Sequence, residues 1–180
     1  MEEIKIIIAS HKKYQKPAEN IYLPVQVGAE GKEKIDGYTQ DNTGENISIK
    51  NPNYCELTGL YWAWKNLNAK YIGLVHYRRY FTESKKILKE EDEKFKVVLT
   101  EKQIKEKLKN VDIILPKKRK YYIENLYSHY EHTMYIEPLA ETQKIIKEKY
   151  PEYLEEFNKL HKRTSAHRRG RPASCISFAS

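Results

Sequence analysis

The stretch Tyr71-Ile72-Gly73-Leu74-Val75-His76-Tyr77-Arg78-Arg79-Tyr80-Phe81 constrains this chain most. It opens as a buried strand, with Ile72, Leu74 and Val75 apolar and Gly73 permitting a close approach. It then turns abruptly into His76, Tyr77, Arg78 and Arg79. An apolar strand needs no such ending. In an open α/β sheet, ligands bind beyond the carboxyl ends of the strands. Two guanidinium groups with aromatic rings and an imidazole at that edge suit a flat, anionic ligand, because guanidinium grips phosphate bidentately while rings stack. The competing reading is that both arginines are solvated and Tyr77 and Tyr80 only pack.

Two further apolar runs end the same way. Ile4, Ile6, Ile7 and Ile8 lead through Ala9 and Ser10 into His11, Lys12 and Lys13. Val111, Ile113, Ile114 and Leu115 stop at Pro116 and lead into Lys117, Lys118, Arg119 and Lys120, followed by Tyr121 and Tyr122. If the three are parallel neighbours, their endings build one positive rim. The strands Ile4–Ala9, Tyr71–Val75 and Val111–Leu115 are therefore expected side by side in one sheet. A diphosphate is the natural small ligand of such a rim, and the formal net charge of +8 favours an anionic partner without choosing one.

Between the first two runs lies a loop-rich segment with Pro17, Pro24, Gly28, Gly31, Gly37 and Gly44, in which Ile21, Leu23, Val25 and Val27 alternate as a short edge strand. A helix follows near Pro52. Leu57, Leu60, Tyr61, Trp64 and Leu67 recur at helical spacing and are expected to face the sheet, with Trp62 off that stripe. Residues 85–96 form a charged excursion. Thr100 and Gln103 read as a capping box for a helix through Leu108. A Tyr- and His-bearing loop precedes a helix over Leu139 to Tyr150, and another helix carries Tyr153, Leu154, Phe157 and Leu160. The residues from Arg168 to Ser180 show no period and are expected to pack on nothing.

No Gly-rich phosphate loop of either common type occurs, which disfavours kinase-like and dehydrogenase-like sites. His129 and His132 stand three apart, a spacing that needs a neighbouring carboxylate or Cys to suggest a metal. Cys55 and Cys175 are far apart, so no disulfide framework is expected. No apolar run reaches the ~18 residues of a membrane span. The start lacks a secretory pattern, and a cytoplasmic location is expected. Asp41, Glu45 and Glu56 are the acids to consider as a general base, although such acids are usually surface or capping groups.

Several separated motifs, in order, resemble one bacterial family. They are Ile7-Ile8-Ala9-Ser10-His11-Lys12-Lys13-Tyr14, Tyr22-Leu23-Pro24-Val25-Gln26-Val27-Gly28-Ala29 and Asp41-Asn42-Thr43-Gly44-Glu45-Asn46-Ile47-Ser48. Asn51-Pro52-Asn53-Tyr54-Cys55-Glu56-Leu57-Thr58, Tyr61-Trp62-Ala63-Trp64-Lys65-Asn66, His76-Tyr77-Arg78-Arg79-Tyr80-Phe81 and Ile114-Leu115-Pro116 complete the set. The family is a glycosyltransferase-associated domain of capsular, O-antigen and exopolysaccharide clusters, and it includes a galactofuranosyltransferase. The resemblance spans about residues 4–167.

It implies a GT-A-like (Rossmann-like) α/β fold with a mainly parallel sheet flanked by helices. It also implies a glycosyltransferase that moves a sugar, galactofuranose or another hexose, from a nucleotide-diphosphate donor such as a UDP-sugar. The acceptor is a lipid-linked or polysaccharide chain at the inner face of the membrane. In this reading 1–167 is one transferase-like domain, incomplete at its C-terminal end, and 168–180 is a non-native-looking tail. The resemblance stops at Thr164-Ser165-Ala166-His167, which leaves an inactive, truncated transferase as an alternative. A non-catalytic binder of nucleic acid or another anionic surface is a second alternative, although no nucleic-acid partner is expected. The donor site is expected at His11, Lys12, His76, Tyr77, Arg78, Arg79 and Lys117. GT-A-like enzymes often place a metal-binding acidic pair where this chain has His76-Tyr77-Arg78. His76 could be a metal ligand there, but two fixed cations already supply the charge a metal would bring, so a divalent metal is not favoured.

Overall fold

Burial along the first strand alternates between two faces, and both faces are covered. The computed structural model describes residues 2–84, 91–117, 120–159, 164–166 and 177–179. These residues fall into two compact units, Met1–Pro116 with Arg171–Ser180 and Lys117–Gly170, where the sequence suggests one domain over 1–167.

In the first unit, β1 (Glu2–Ser10) sends Ile4, Ile6 and Ile8 into one apolar cluster and Ile7 and Ala9 into another. This is the period of two that a strand imposes. β2 (Tyr22–Gln26) pairs with it in parallel, and β3 (Thr39–Gln40) pairs in parallel with β2. A single 3-10 turn over Ser48–Lys50 leads into α1 (Asn51–Tyr54), then α2 (Leu57–Asn66) and β4 (Ala69–His76). β4 lies parallel to β1 on the side away from β2. The short α3 (Glu91–Lys96) and α4 (Glu101–Leu108) follow. Thr100 caps α4 through the expected box with Gln103, and Ile104 faces inward.

Three expectations need correcting. The stripe Leu57, Tyr61 and Trp64 does not pack on the sheet: Leu57 and Trp64 are exposed, and the buried face is Thr58, Gly59, Leu60, Trp62 and Ala63. Both sets fit a helical period. The small residues decide between them, because a Cβ on Gly59 would meet Val27 Cγ1 at 2.6 Å, so this face approaches the sheet more closely than a larger residue allows. Residues 111–115 form no strand. Val111, Ile113 and Leu115 are exposed, and only Ile114 packs against the core. The parallel neighbours of β1 are β4 and β2, and β2 is an interior strand rather than an edge. It could be mistaken for a loop because Pro24 sits within it, where the ring removes one backbone donor.

In the second unit, β5 (Lys120–Asn125) leads straight into α5 (Leu126–Thr133), where a loop is expected from the sequence. Asn125 caps that helix in a reciprocal box with Ser128, a cap that is easily overlooked because Ser replaces the usual Glu or Gln. α6 (Glu137–Lys149) and α7 (Leu154–Asn158) follow, with Pro138 at the start of α6. β6 (Thr164–Ala166) pairs antiparallel with β5. Glu124 receives His129 Nδ1 at 2.8 Å and His132 Nδ1 at 2.6 Å, and these two contacts, that of His132 first, hold its carboxyl below the usual range.

The last described segment is β7 (Ser177–Ala179), which pairs antiparallel with β4 and completes the order β3-β2-β1-β4-β7. An unpacked tail is therefore not what these three residues form. The reason lies in β4, whose outer edge offers unpaired N–H and C=O groups that any extended segment can satisfy. Lys118, Arg119, Leu160 and Arg168 to Ser174 lie outside the described residues, as do residues 85–90 of the charged excursion.

Candidate functional site

The chain lays down β1, β2 and β3 in one direction across the sheet, then crosses through α2 and places β4 on the other side of β1. Strand order thus reverses between β1 and β4, and in such sheets the crevice beyond the carboxyl ends at the reversal is where ligands bind. The register puts Ala9 opposite His76, so His11 and the His76–Arg79 segment leave the sheet at the same edge.

The segment after β4 is a tight turn. Arg79 N–H donates to the His76 carbonyl at 2.8 Å, and Tyr77 N–H donates to the Ala9 carbonyl at 3.3 Å. Tyr77 and Arg78 are the central turn residues, so the alternation expected of extended chain does not apply to Arg78 and Arg79. Both arginines are exposed. Among the described residues neither is ion-paired with a carboxylate. The guanidinium of Arg78 lies 5.0 Å from the Tyr77 ring centre. Tyr14 stacks on Tyr77 with ring centres 4.0 Å apart, so one face of Tyr77 is already occupied. Tyr14 is fixed in turn by Tyr38, whose hydroxyl accepts from Tyr14 N–H at 2.9 Å. Tyr14 and Tyr38 thus join the site although nothing in the sequence marks their contact with Tyr77.

His76 is the best-defined group. Its Nδ1 accepts a hydrogen bond from Arg78 N–H at 3.2 Å. A neutral ring in that arrangement carries its proton on Nε2, which lies 3.8 Å from Glu56 Oε1. Burial pushes the imidazole pKa below its ordinary value. The Glu56 carboxylate opposes that shift, while Arg78, Arg79 and His11 add to it. His11 therefore belongs to the same electrostatic field. Lys12 is exposed, and its backbone N–H donates to Ser10 Oγ at 3.1 Å. Lys117 is exposed and belongs to the second unit, where no strand precedes it. Among the described residues, no group of three His, Cys, Asp or Glu side chains is arranged to hold a metal ion, and His129 and His132 meet Glu124 as hydrogen-bond partners.

The three acids have different surroundings. Asp41 is fully buried. Its carboxylate accepts from Gly28 N–H at 2.9 Å, Ala29 N–H at 3.0 Å and Thr58 Oγ1 at 2.7 Å, and also from Ser48 Oγ. Four donors leave that carboxylate no lone pair to accept a substrate proton; it organises the loop. Glu45 lies towards the other end of α2. It accepts from Tyr61 OH at 2.8 Å and pairs with Lys65 at 3.0 Å. The Tyr61 hydrogen bond, then Lys65, holds its carboxyl below the usual range.

Glu56 is placed by strained backbone. Cys55 has φ 49° and ψ −130°, and Glu56 has φ −64° and ψ −15°. These are the central angles of a type II′ turn, which favours Gly at its first central position. A non-Gly residue there costs on the order of 1–3 kcal/mol and persists only where its surroundings enforce it. Here the Cys55 carbonyl accepts from Asn51 Nδ2 at 2.8 Å and from Thr58 N–H at 3.3 Å, and the Thr58 hydroxyl donates to buried Asp41. The loop hub therefore sets the direction in which Glu56 leaves the start of α2.

No curated protein sequence matches the chain. Its structure is similar to the apo structure of the bifunctional glycosyltransferase WbbM, with a TM-score of 0.79 and 31% sequence identity over 99% of this chain. The chain spans 34% of that larger protein. A family model described as "Domain of unknown function (DUF4422)" matches residues 5–169. With its mixed α/β architecture and parallel sheet flanked by helices, the chain belongs to the DUF4422 family and carries a glycosyltransferase-like fold.

Proposed function

We propose that this chain transfers a hexose, of which galactofuranose is one candidate, from a UDP-sugar to a growing polysaccharide acceptor. The observation that carries the reading is the turn at the point of strand reversal, whose Arg78 and Arg79 are exposed and have no carboxylate partner among the described residues. Unpaired guanidinium groups at that edge are suited to a diphosphate, which gains negative charge as the bond to the sugar breaks. His11 shares the field, and His76 and Tyr77 shape the same pocket. Lys12, exposed at the same edge, adds positive charge for donor approach. The acceptor fits the capsular, O-antigen or exopolysaccharide class, presented on a lipid at the inner membrane surface. No helix among the described residues is long and apolar enough to cross a membrane.

The test is calorimetric titration with a panel of UDP-sugars. One or more donors should bind at physiological salt. Arg78→Lys and Arg79→Lys keep the charge and lose the bidentate fork. At about 1.5–3 kcal/mol for a charge-assisted hydrogen bond, the arginine that grips phosphate should lose roughly ten- to a hundredfold in donor affinity when replaced. A parent protein that binds no UDP-sugar, or two folded variants that bind as tightly as the parent, would overturn the reading.

A further inference from the structure

We infer that Glu56 is the catalytic base of the transfer, taking the proton of the incoming hydroxyl beside His76. Three observations lead there. First, Asp41 is saturated by donors and Glu45 carries Tyr61 OH and Lys65 on Oε1 towards the other end of α2, whereas Glu56 lies beside the His76 turn, with no ion-pair partner but that imidazole among the described residues, and keeps 42% of its side chain exposed. Second, the proton of neutral His76 is directed to Nε2, because Nδ1 is occupied by Arg78 N–H. The imidazole then presents an N–H towards the carboxylate and is not the acceptor of the substrate proton. Third, Glu56 leaves a strained turn fixed through Asn51, Thr58 and Asp41, the kind of support that holds a reacting group within a fraction of an ångström.

In the step that follows, the acceptor hydroxyl oxygen forms a bond to the anomeric carbon of the donor. The bond from that carbon to the diphosphate oxygen breaks, and its electron pair leaves with the nucleoside diphosphate beside Arg78 and Arg79. The hydroxyl proton passes to a Glu56 carboxylate oxygen. One displacement of this kind inverts the anomeric configuration. The inference rests on the donor reading above, but the two fail separately.

The experiment uses the full chain with UDP-galactose and UDP-glucose as donors and water as the acceptor. Donor affinity, turnover and the configuration of the first sugar released are measured for the parent and for Glu56→Gln. The variant should bind both donors as the parent does and lose roughly a hundredfold or more in kcat, within the range of general-base contributions. The first sugar from these α-linked donors should be the β anomer. A nitrogen-15 NMR titration of the same proteins should show His76 neutral as the Nε2–H tautomer, with its titration midpoint lower in Glu56→Gln. Undiminished turnover in Glu56→Gln, or release of the α anomer, overturns the proposal. A parent that binds donors but turns neither over also overturns it while leaving the donor reading standing. A parent that binds neither these donors nor any other UDP-sugar of the panel removes the donor reading itself, and this proposal with it.

Discussion

Two loops leave the same edge of one sheet, the Asp41 loop beyond β3 and the His76–Arg79 turn beyond β4. Both carry charge, but the charges are treated differently. Asp41 has four donors and no solvent exposure. Arg78 and Arg79 are exposed and face no carboxylate among the described residues. A buried charge without partners is costly, so the chain can bury a carboxylate only by saturating it. Once saturated, it is committed to the fold. A charge left in water costs little and remains available to a ligand. The comparison therefore separates residues that build the site from residues that use it, and Glu56 joins the two because its backbone is set by the first loop and its side chain meets the second.

The largest effect should come from the building side. Asp41→Ala strips the partner from Gly28 N–H, Ala29 N–H, Ser48 and Thr58, and should cost about 3 kcal/mol or more of stability in denaturant titration. A loss under about 1 kcal/mol would mean that water replaces the carboxylate and that the loop does not depend on it. Next, Cys55→Gly should stabilise by about 1 kcal/mol, since glycine adopts the positive φ without strain. The same change should loosen Glu56, so turnover should fall as melting temperature rises. A parallel rise in both would detach the strain from the site.

A smaller effect is expected with pH. The folded pKa of His76 lies below the ordinary 6.5, so the unfolded chain takes up that proton more readily than the folded one. The stability from keeping His76 neutral is present above 6.5 and lost as pH falls through the lower folded value. Denaturation midpoints measured on both sides of 6.5 should therefore converge between parent and His76→Asn as the solution is acidified. A constant difference would show that His76 does not titrate in this window. The smallest effect belongs to Arg78→Ala and Arg79→Ala, which should leave stability within about 0.5 kcal/mol. A larger loss would move the arginines to the building side of the comparison.

The exposed charge beyond β4 was legible in the sequence, and the burial of Asp41 was not. His76, Arg78 and Arg79 stand out because polar, cationic residues interrupt an apolar strand, a local signal. The role of Asp41 was not legible. Its donors come from residues 28, 29, 48 and 58, so its burial is a product of loop closure over long sequence separations. Tyr14 and Tyr77 are similarly remote, and only the parallel pairing of β1 with β4 brings them to one place. Residues 111–115 failed in the opposite sense. Their apolar run is a genuine β-type pattern, but no strand pairs with it, and an unpaired segment remains irregular whatever its propensity.

The sequence by itself determined the local elements whose cause lies within a few residues. These are the apolar cores of β1 and β4, the Thr100–Gln103 cap of α4, and the abrupt change from apolar to cationic chain at His76. The tertiary structure decided which face of α2 meets the sheet, that β2 and not 111–115 lies beside β1, and that an extended segment at Ser177–Ala179 fills the free edge of β4. It also decided which of three acids is saturated by buried donors and which lies beside His76. The reason is the same in each case. A period or a cap depends on neighbours along the chain, whereas close packing, strand pairing and the saturation of a buried charge depend on neighbours in space.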